Sequence, residues 1–114
     1  MKKTLLVLAT MAAVACAPKK ASNPFLTEWD TPYGIPDFSA VEEEHYLPAV
    51  EAGIEQQQAE IDAIIANTEA PTFENVVAAY EKSGAILDRV VGVLFNLSET
   101  DGTESLNAIV EKVL

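Results

Sequence analysis

One cysteine, one histidine and one tryptophan stand in 114 residues. A lone Cys excludes an intramolecular disulfide framework, and one His with one Cys leaves no zinc site of the ordinary His/Cys kind. Basic residues are scarce: seven Lys and Arg face eighteen Asp and Glu, a formal charge of −11. Nucleic-acid binding in its usual form needs clustered Lys and Arg, so it is excluded. Glycine-rich phosphate loops, H-E-x-x-H and the D-x-D-x-D-G calcium spacing are all missing from the sequence. What is present is a chain 49% apolar, which excludes a disordered acidic tail. Its length allows one small domain.

The few basic residues are unevenly placed. Lys2, Lys3, Lys19 and Lys20 lie in the first twenty positions; from Ala21 on, only Lys82, Arg89 and Lys112 oppose all eighteen acids, leaving that stretch at −15. After Lys2 and Lys3, Leu5 to Ala15 is an eleven-residue run in which Thr10 alone is polar. At 1.5 Å per residue it is too short for a bilayer core of about 30 Å, and it has the shape of a secretory h-region. Ala13-Val14-Ala15-Cys16 resembles a bacterial lipobox, although Ala13 replaces the usual Leu; Ala13-x-Ala15 also fits an ordinary small-residue cleavage site. Both readings cut before Cys16. Lipidation at Cys16 is the expectation, because the thiol otherwise has no partner. Residues 1–15 are then a signal peptide and 16–22 a lipid-anchor tether. The product is an exported bacterial protein, periplasmic and held at the membrane through Cys16.

Residues 23–38 read as an extended strap. Pro24, Pro32 and Pro36 bias the residues before them toward extended backbone, and Tyr33-Gly34 forms a turn in which Gly34 takes a positive φ. Phe25, Trp29, Tyr33 and Phe38 are expected to dock on a core rather than line a ligand groove.

Residues 39–114 read as helical, so the fold class is all-α: a strap, two long antiparallel helices and the start of a third. The first helix covers Ser39 to about Thr68, with Ser39 and Glu42 in a capping box; Pro48 argues that its regular part starts later, near Glu44. Leu47, Val50, Ile54, Ile61 and Ile64 make its apolar stripe, and Asn67 its stop. The second helix runs from a Thr72 cap to about Glu99. It carries one stripe through Phe73, Val77, Tyr80, Gly84, Leu87, Val91 and Leu94, and another through Val76, Ala79, Ile86, Val90, Val93 and Leu97. A helix apolar on two faces needs covering on two faces. Gly84 and Gly92 are expected to mark close helix packing. After the Asp101-Gly102 turn, Thr103 caps a third helix with Leu106, Ile109, Val110 and Val113 inward. That pattern reaches Leu114 without a stop signal, from which a truncated chain is expected.

His45 follows Glu42, Glu43 and Glu44, but neighbouring positions do not share a helix face, so it is expected to bond locally. No catalytic, cofactor-binding or metal-ligating residue is assigned.

The order and spacing of several segments resemble a known family. Asn23-Pro24-Phe25-Leu26 with Thr31-Pro32-Tyr33-Gly34-Ile35-Pro36-Asp37-Phe38 is one. Glu44-His45-Tyr46-Leu47-Pro48-Ala49 followed by Glu51-Ala52-Gly53 is a second. Ala70-Pro71-Thr72-Phe73-Glu74-Asn75, then Ser83-Gly84, Leu87-Asp88-Arg89-Val90 and Phe95-Asn96-Leu97, completes the set. They resemble the dipeptidyl carboxypeptidase (peptidyl-dipeptidase) branch of the thimet oligopeptidase family of zinc metallopeptidases, over residues 23 to about 110. The resemblance implies the N-terminal part of a longer helical enzyme that releases C-terminal dipeptides from oligopeptides or cleaves them internally. In that family zinc polarises the scissile carbonyl and a motif Glu activates water. No residue here matches those positions, so zinc belongs to the parent enzyme and the piece is expected to be inactive, supplying channel-wall helices. The strap aromatics are expected to lie on helices the chain lacks. The alternative is a complete small helical lipoprotein that binds a partner through its second helix.

Overall fold

The computed structural model describes residues 22–114; the leader, the tether up to Ala21 and Cys16 lie outside the described residues. The elements are helical throughout. Three short 3-10 turns, Pro24–Leu26, Pro32–Gly34 and Glu43–His45, precede α1 (Tyr46–Ala66). A π-helical turn, Phe73–Ala78, leads into α2 (Ala79–Lys82); α3 (Ala85–Asp101) and α4 (Glu104–Val113) follow. The all-α architecture holds, and no strand occurs among the described residues.

α1 begins as the proline predicts. Pro48 sits in its first turn, where its missing N–H costs nothing, and Asn67 closes the other end. The cap differs from expectation. Ser39 turns back on Asp37, donating its Oγ–H to Oδ1 at 2.6 Å. His45 caps instead, accepting the Glu42 N–H on Nδ1 at 3.0 Å.

The second helix is not continuous. Its Thr72 cap is in place, the hydroxyl accepting from the Asn75 N–H at 3.1 Å while the Asn75 amide oxygen accepts from the Thr72 N–H at 2.7 Å. The helix then breaks at Ser83 (ψ 149) and Gly84 (φ 78, ψ 14), and α3 restarts at Ala85. Gly84 therefore serves a left-handed corner that disfavours any residue with a Cβ, and it also packs closely on α1, since a Cβ there would collide with the Gln57 side chain. Gly92 departs from expectation: a Cβ there would meet nothing within 4 Å. The close crossing falls at Gly53, where a Cβ would lie 2.9 Å from the Leu87 backbone nitrogen. This absence of a side chain lets α1 pack directly on α3.

The core gathers at the strap end of the molecule. Phe25, Tyr46, Ala49, Val50, Val90, Val93, Leu94 and Leu106 are buried, with Trp29, Leu87, Val91, Leu97 and Ile109 packed against them. Full burial of side chains such as Phe25 and Leu94 contributes roughly 1.5–3 kcal/mol each before conformational entropy is counted. α4 joins through Leu106 and the Thr103 cap, whose hydroxyl accepts the Leu106 N–H at 3.1 Å. Both were legible from the residue pattern.

Candidate functional site

Three long-range ties position the helices. In the first, the strap is clasped onto α3. Arg89 donates from Nη1 to the carbonyl oxygens of Phe25 at 3.0 Å and Thr27 at 2.7 Å. Its guanidinium also lies 5.1 Å from the centroid of the Trp29 ring. The Trp29 indole N–H donates to the Pro24 carbonyl at 3.1 Å. Asn23 ties the same strap to the start of α1, donating from Nδ2 to the His45 carbonyl at 2.7 Å. Phe25 then stacks at 5.2 Å from Tyr46 and 6.2 Å from Trp29, both tilted.

This clasp divides the strap aromatics. Phe25 and Trp29 dock on helices of this chain, so the expectation that all four lie on missing helices is corrected. Tyr33 is fully exposed and Phe38 half exposed. Tyr33 also takes a positive φ of 64°, as does Gly34, in a double turn closed by Gly34 N–H to Thr31 O at 3.0 Å. Only the Gly34 half of that turn was foreseen.

The second tie spans the helix break. Glu60 on α1 accepts the Gly84 N–H on Oε2 at 2.8 Å and the Gln56 amide on Oε1 at 2.8 Å. The carboxylate thereby caps the N-terminal end of α3, where the helix dipole favours negative charge. The hydrogen bonds from Gln56 and Gly84 hold its pKa below the ordinary carboxylate value. In the third tie, Glu43 Oε1 accepts from the hydroxyls of Thr103 at 3.1 Å and Ser105 at 2.8 Å, fastening the entry of α1 to the entry of α4. Burial and the neighbouring Glu43 charge push the Tyr46 phenol above its ordinary value.

Beyond these ties the apolar faces divide. Asn75, Ala79 and Ser83 turn toward Glu60, Ala63 and Ile64 of α1 and enclose with them a groove of about 420 Å³. The other face of the same segment points away. Phe73 is 67% exposed, Val76 40%, Val77 46% and Tyr80 60%, at the spacing of a single helical stripe. The structure thus covers both stripes of the original pattern within α3, at Leu94 of the first and Val90 and Val93 of the second, and leaves both uncovered in the N-terminal half. Arg89, Glu60 and Gly53, which organise the packing, were not singled out from sequence for these roles. A lone Arg among acids facing a Pro/aromatic strap was the available signal for the first of them.

Cys16 falls outside the described residues. His45 bonds locally to the Glu42 backbone. Among the described residues no group of three or more His, Cys, Asp or Glu side chains converges into a metal-holding set. They therefore do not fit the zinc that the resemblance implies, and no step through a metal follows from them. Among the described residues no helix is long and apolar enough to cross a membrane.

No family model matches the chain. Individual relatives do. It is 38% identical over 90 residues to the dipeptidyl carboxypeptidase of Escherichia coli (strain K12), a match that covers 79% of this chain and 13% of that protein. The dipeptidyl carboxypeptidase of Salmonella typhimurium is 36% identical over 91 residues, with 80% and 13% covered. Oligopeptidase A of the same Salmonella strain is 25% identical over 93 residues, 82% of this chain and 13% of the relative. The chain thus spans about an eighth of the length of the relatives it matches.

Proposed function

Because this chain fits a segment of the thimet oligopeptidase family, in its dipeptidyl carboxypeptidase branch, we propose that it supplies non-catalytic helices to a longer, exported zinc peptidase. The whole enzyme releases C-terminal dipeptides from short oligopeptides, or cleaves them internally. The segment forms part of the wall that restricts access to the catalytic centre, and Cys16 carries the lipid that holds the enzyme at the membrane.

The observation that carries this reading is the combination of coverage and packing. The relatives run about eight times the matched length, while Phe73, Val77 and Tyr80 remain exposed at helical spacing. A wall segment of a larger protein has this form: a core of its own at one end, and an apolar layer awaiting neighbours at the other.

The test is the genomic reading frame followed by an assay. The expected frame continues past Leu114 and encodes H-E-x-x-H, and its product is expected to release dipeptides from an N-blocked tetrapeptide and to lose that activity to a chelator. A stop codon directly after Leu114 in verified genomic sequence defeats the proposal. Mass spectrometry of the exported product reads the anchor: a free Cys16 thiol without diacylglycerol removes that part alone.

A further inference from the structure

We infer that the stripe Phe73, Val76, Val77 and Tyr80 is the seat of an amphipathic helix with a basic rim, contributed by the remainder of the enzyme to which this segment belongs. The inference rests on the proposed function and names what covers one particular face.

The stripe differs from the scattered apolar residues that any surface carries. Its four side chains recur at intervals of three, one and three residues, and all are 40–67% exposed. The opposite side of the same segment is already occupied, since Asn75, Ala79 and Ser83 line the groove against α1. The segment is consequently held on one side and presents its larger side chains on the other. Thr72 and Asn75 fix its start by reciprocal bonds, and the Glu60–Gly84 bond lies just beyond its end. A rigidly placed apolar stripe on a short helical piece is the ground that a second helix packs on.

Two observations select the occupant. The relatives extend far beyond the stretch that this chain matches, so most of such an enzyme is available to supply it. The second is charge. Glu69, Glu74 and Glu81 are exposed around the stripe, with Lys82 the one basic residue at its end, in a body with eighteen acids and three bases from Ala21 on. A second copy would bring the same acidic rim against this one, and like charges brought together across an interface are unfavourable. A helix with Leu, Ile or Phe along its face and Lys or Arg at its edges satisfies both the apolar and the electrostatic requirement.

The test uses two backgrounds. In one, the 114-residue chain is studied alone. In the other, its aligned residues replace the corresponding stretch of the Escherichia coli dipeptidyl carboxypeptidase. Phe73→Gln, Val77→Gln and Tyr80→Gln are made together, since Gln keeps helix propensity while removing the apolar surface. The isolated chain keeps its helical circular dichroism and loses binding of an apolar-surface dye. The chimera carrying the triple change melts about 3–5 °C below the unsubstituted chimera. A second variant, Glu74→Lys with Glu81→Lys, lowers the melting temperature of the chimera and leaves the isolated chain unchanged or slightly more stable.

Equal melting of the substituted and unsubstituted chimeras overturns the inference. So does concentration-dependent dimerisation of the isolated chain that the triple change abolishes, because a second copy is then the occupant. An unsubstituted chimera that folds but releases no dipeptide counts against the proposed function, and its melting comparison still reads the stripe. A chimera that does not fold counts against both.

Discussion

The Glu60 carboxylate accepts the backbone N–H of Gly84 at 2.8 Å across twenty-four positions of sequence. One side chain of α1 therefore holds the corner at which the second helical run changes direction. Its Gln56 partner keeps the other oxygen engaged at 2.8 Å.

The Glu60 tie has a pH signature. Hydrogen bonds from Gln56 and Gly84 lower its pKa in the folded state below the ordinary 4.5. A depressed folded value means that the unfolded chain takes up the proton first. The contribution is present above the unfolded pKa and is lost as pH falls through the folded one. Thermal melts of the chain and of Glu60→Gln are expected to differ at pH 7 and to converge toward pH 3. A difference that is constant across that range contradicts the assignment.

Gly84 and Gly92 respond oppositely to alanine. At Gly84 the φ of 78° disfavours a Cβ, and that Cβ would also run into the Gln57 side chain. Gly84→Ala is expected to destabilise by about 1–2 kcal/mol from backbone strain alone. Adding Gln57→Ala relieves the collision but leaves the strain. Gly92→Ala meets nothing within 4 Å in the interior of α3, and is expected to stabilise by about 0.5–1 kcal/mol through helix propensity. Urea denaturation of the four proteins resolves these effects.

Gly53→Ala is the sharper packing probe. The added Cβ would sit 2.9 Å from the Leu87 nitrogen and 3.0 Å from its Cα. Both are backbone atoms, so relief requires α1 and α3 to separate. A loss of about 1–3 kcal/mol is expected in spite of the better helix propensity of Ala. A gain in stability would mean that the two helices do not approach as closely as described.

Arg89→Lys tests the strap clasp. Lysine keeps the charge but loses the planar fork that reaches two carbonyls while lying over Trp29. Trp29 is the sole tryptophan, so its emission reports the strap unambiguously. The expected result is a red shift of several nanometres with little change in helical dichroism. An unchanged spectrum would indicate that the strap is held by Phe25 and Asn23 without the guanidinium.

Legibility of the fold in the sequence followed the range of the interactions. Thr72, Thr103 and Asn67 act within a few residues of themselves, and each stands where pattern placed it. Pro48 likewise announced the late start of α1. The break at Ser83-Gly84 was hidden because Gly84 kept the three-four spacing of an apolar stripe, so periodicity alone read through the corner. The glycines show the same limit: a missing Cβ is visible in sequence, but whether it serves a turn, a crossing or nothing depends on what lies opposite. Gly53 faces Leu87 and Gly84 faces Gln57, both distant in sequence. The site was legible mainly as a family resemblance, carried by short words such as Leu87-Asp88-Arg89-Val90. Physical roles within those words, above all that of Arg89, needed the strap to be seen lying across α3.

The clasp also imposes an order on synthesis. The Phe25 carbonyl finds its donor sixty-four positions later, at Arg89. At about 5–20 residues per second, a ribosome needs roughly 3–13 s to cover that interval. Throughout it, Phe25 and Trp29 have no α3 to settle on and remain available to whatever meets the emerging chain.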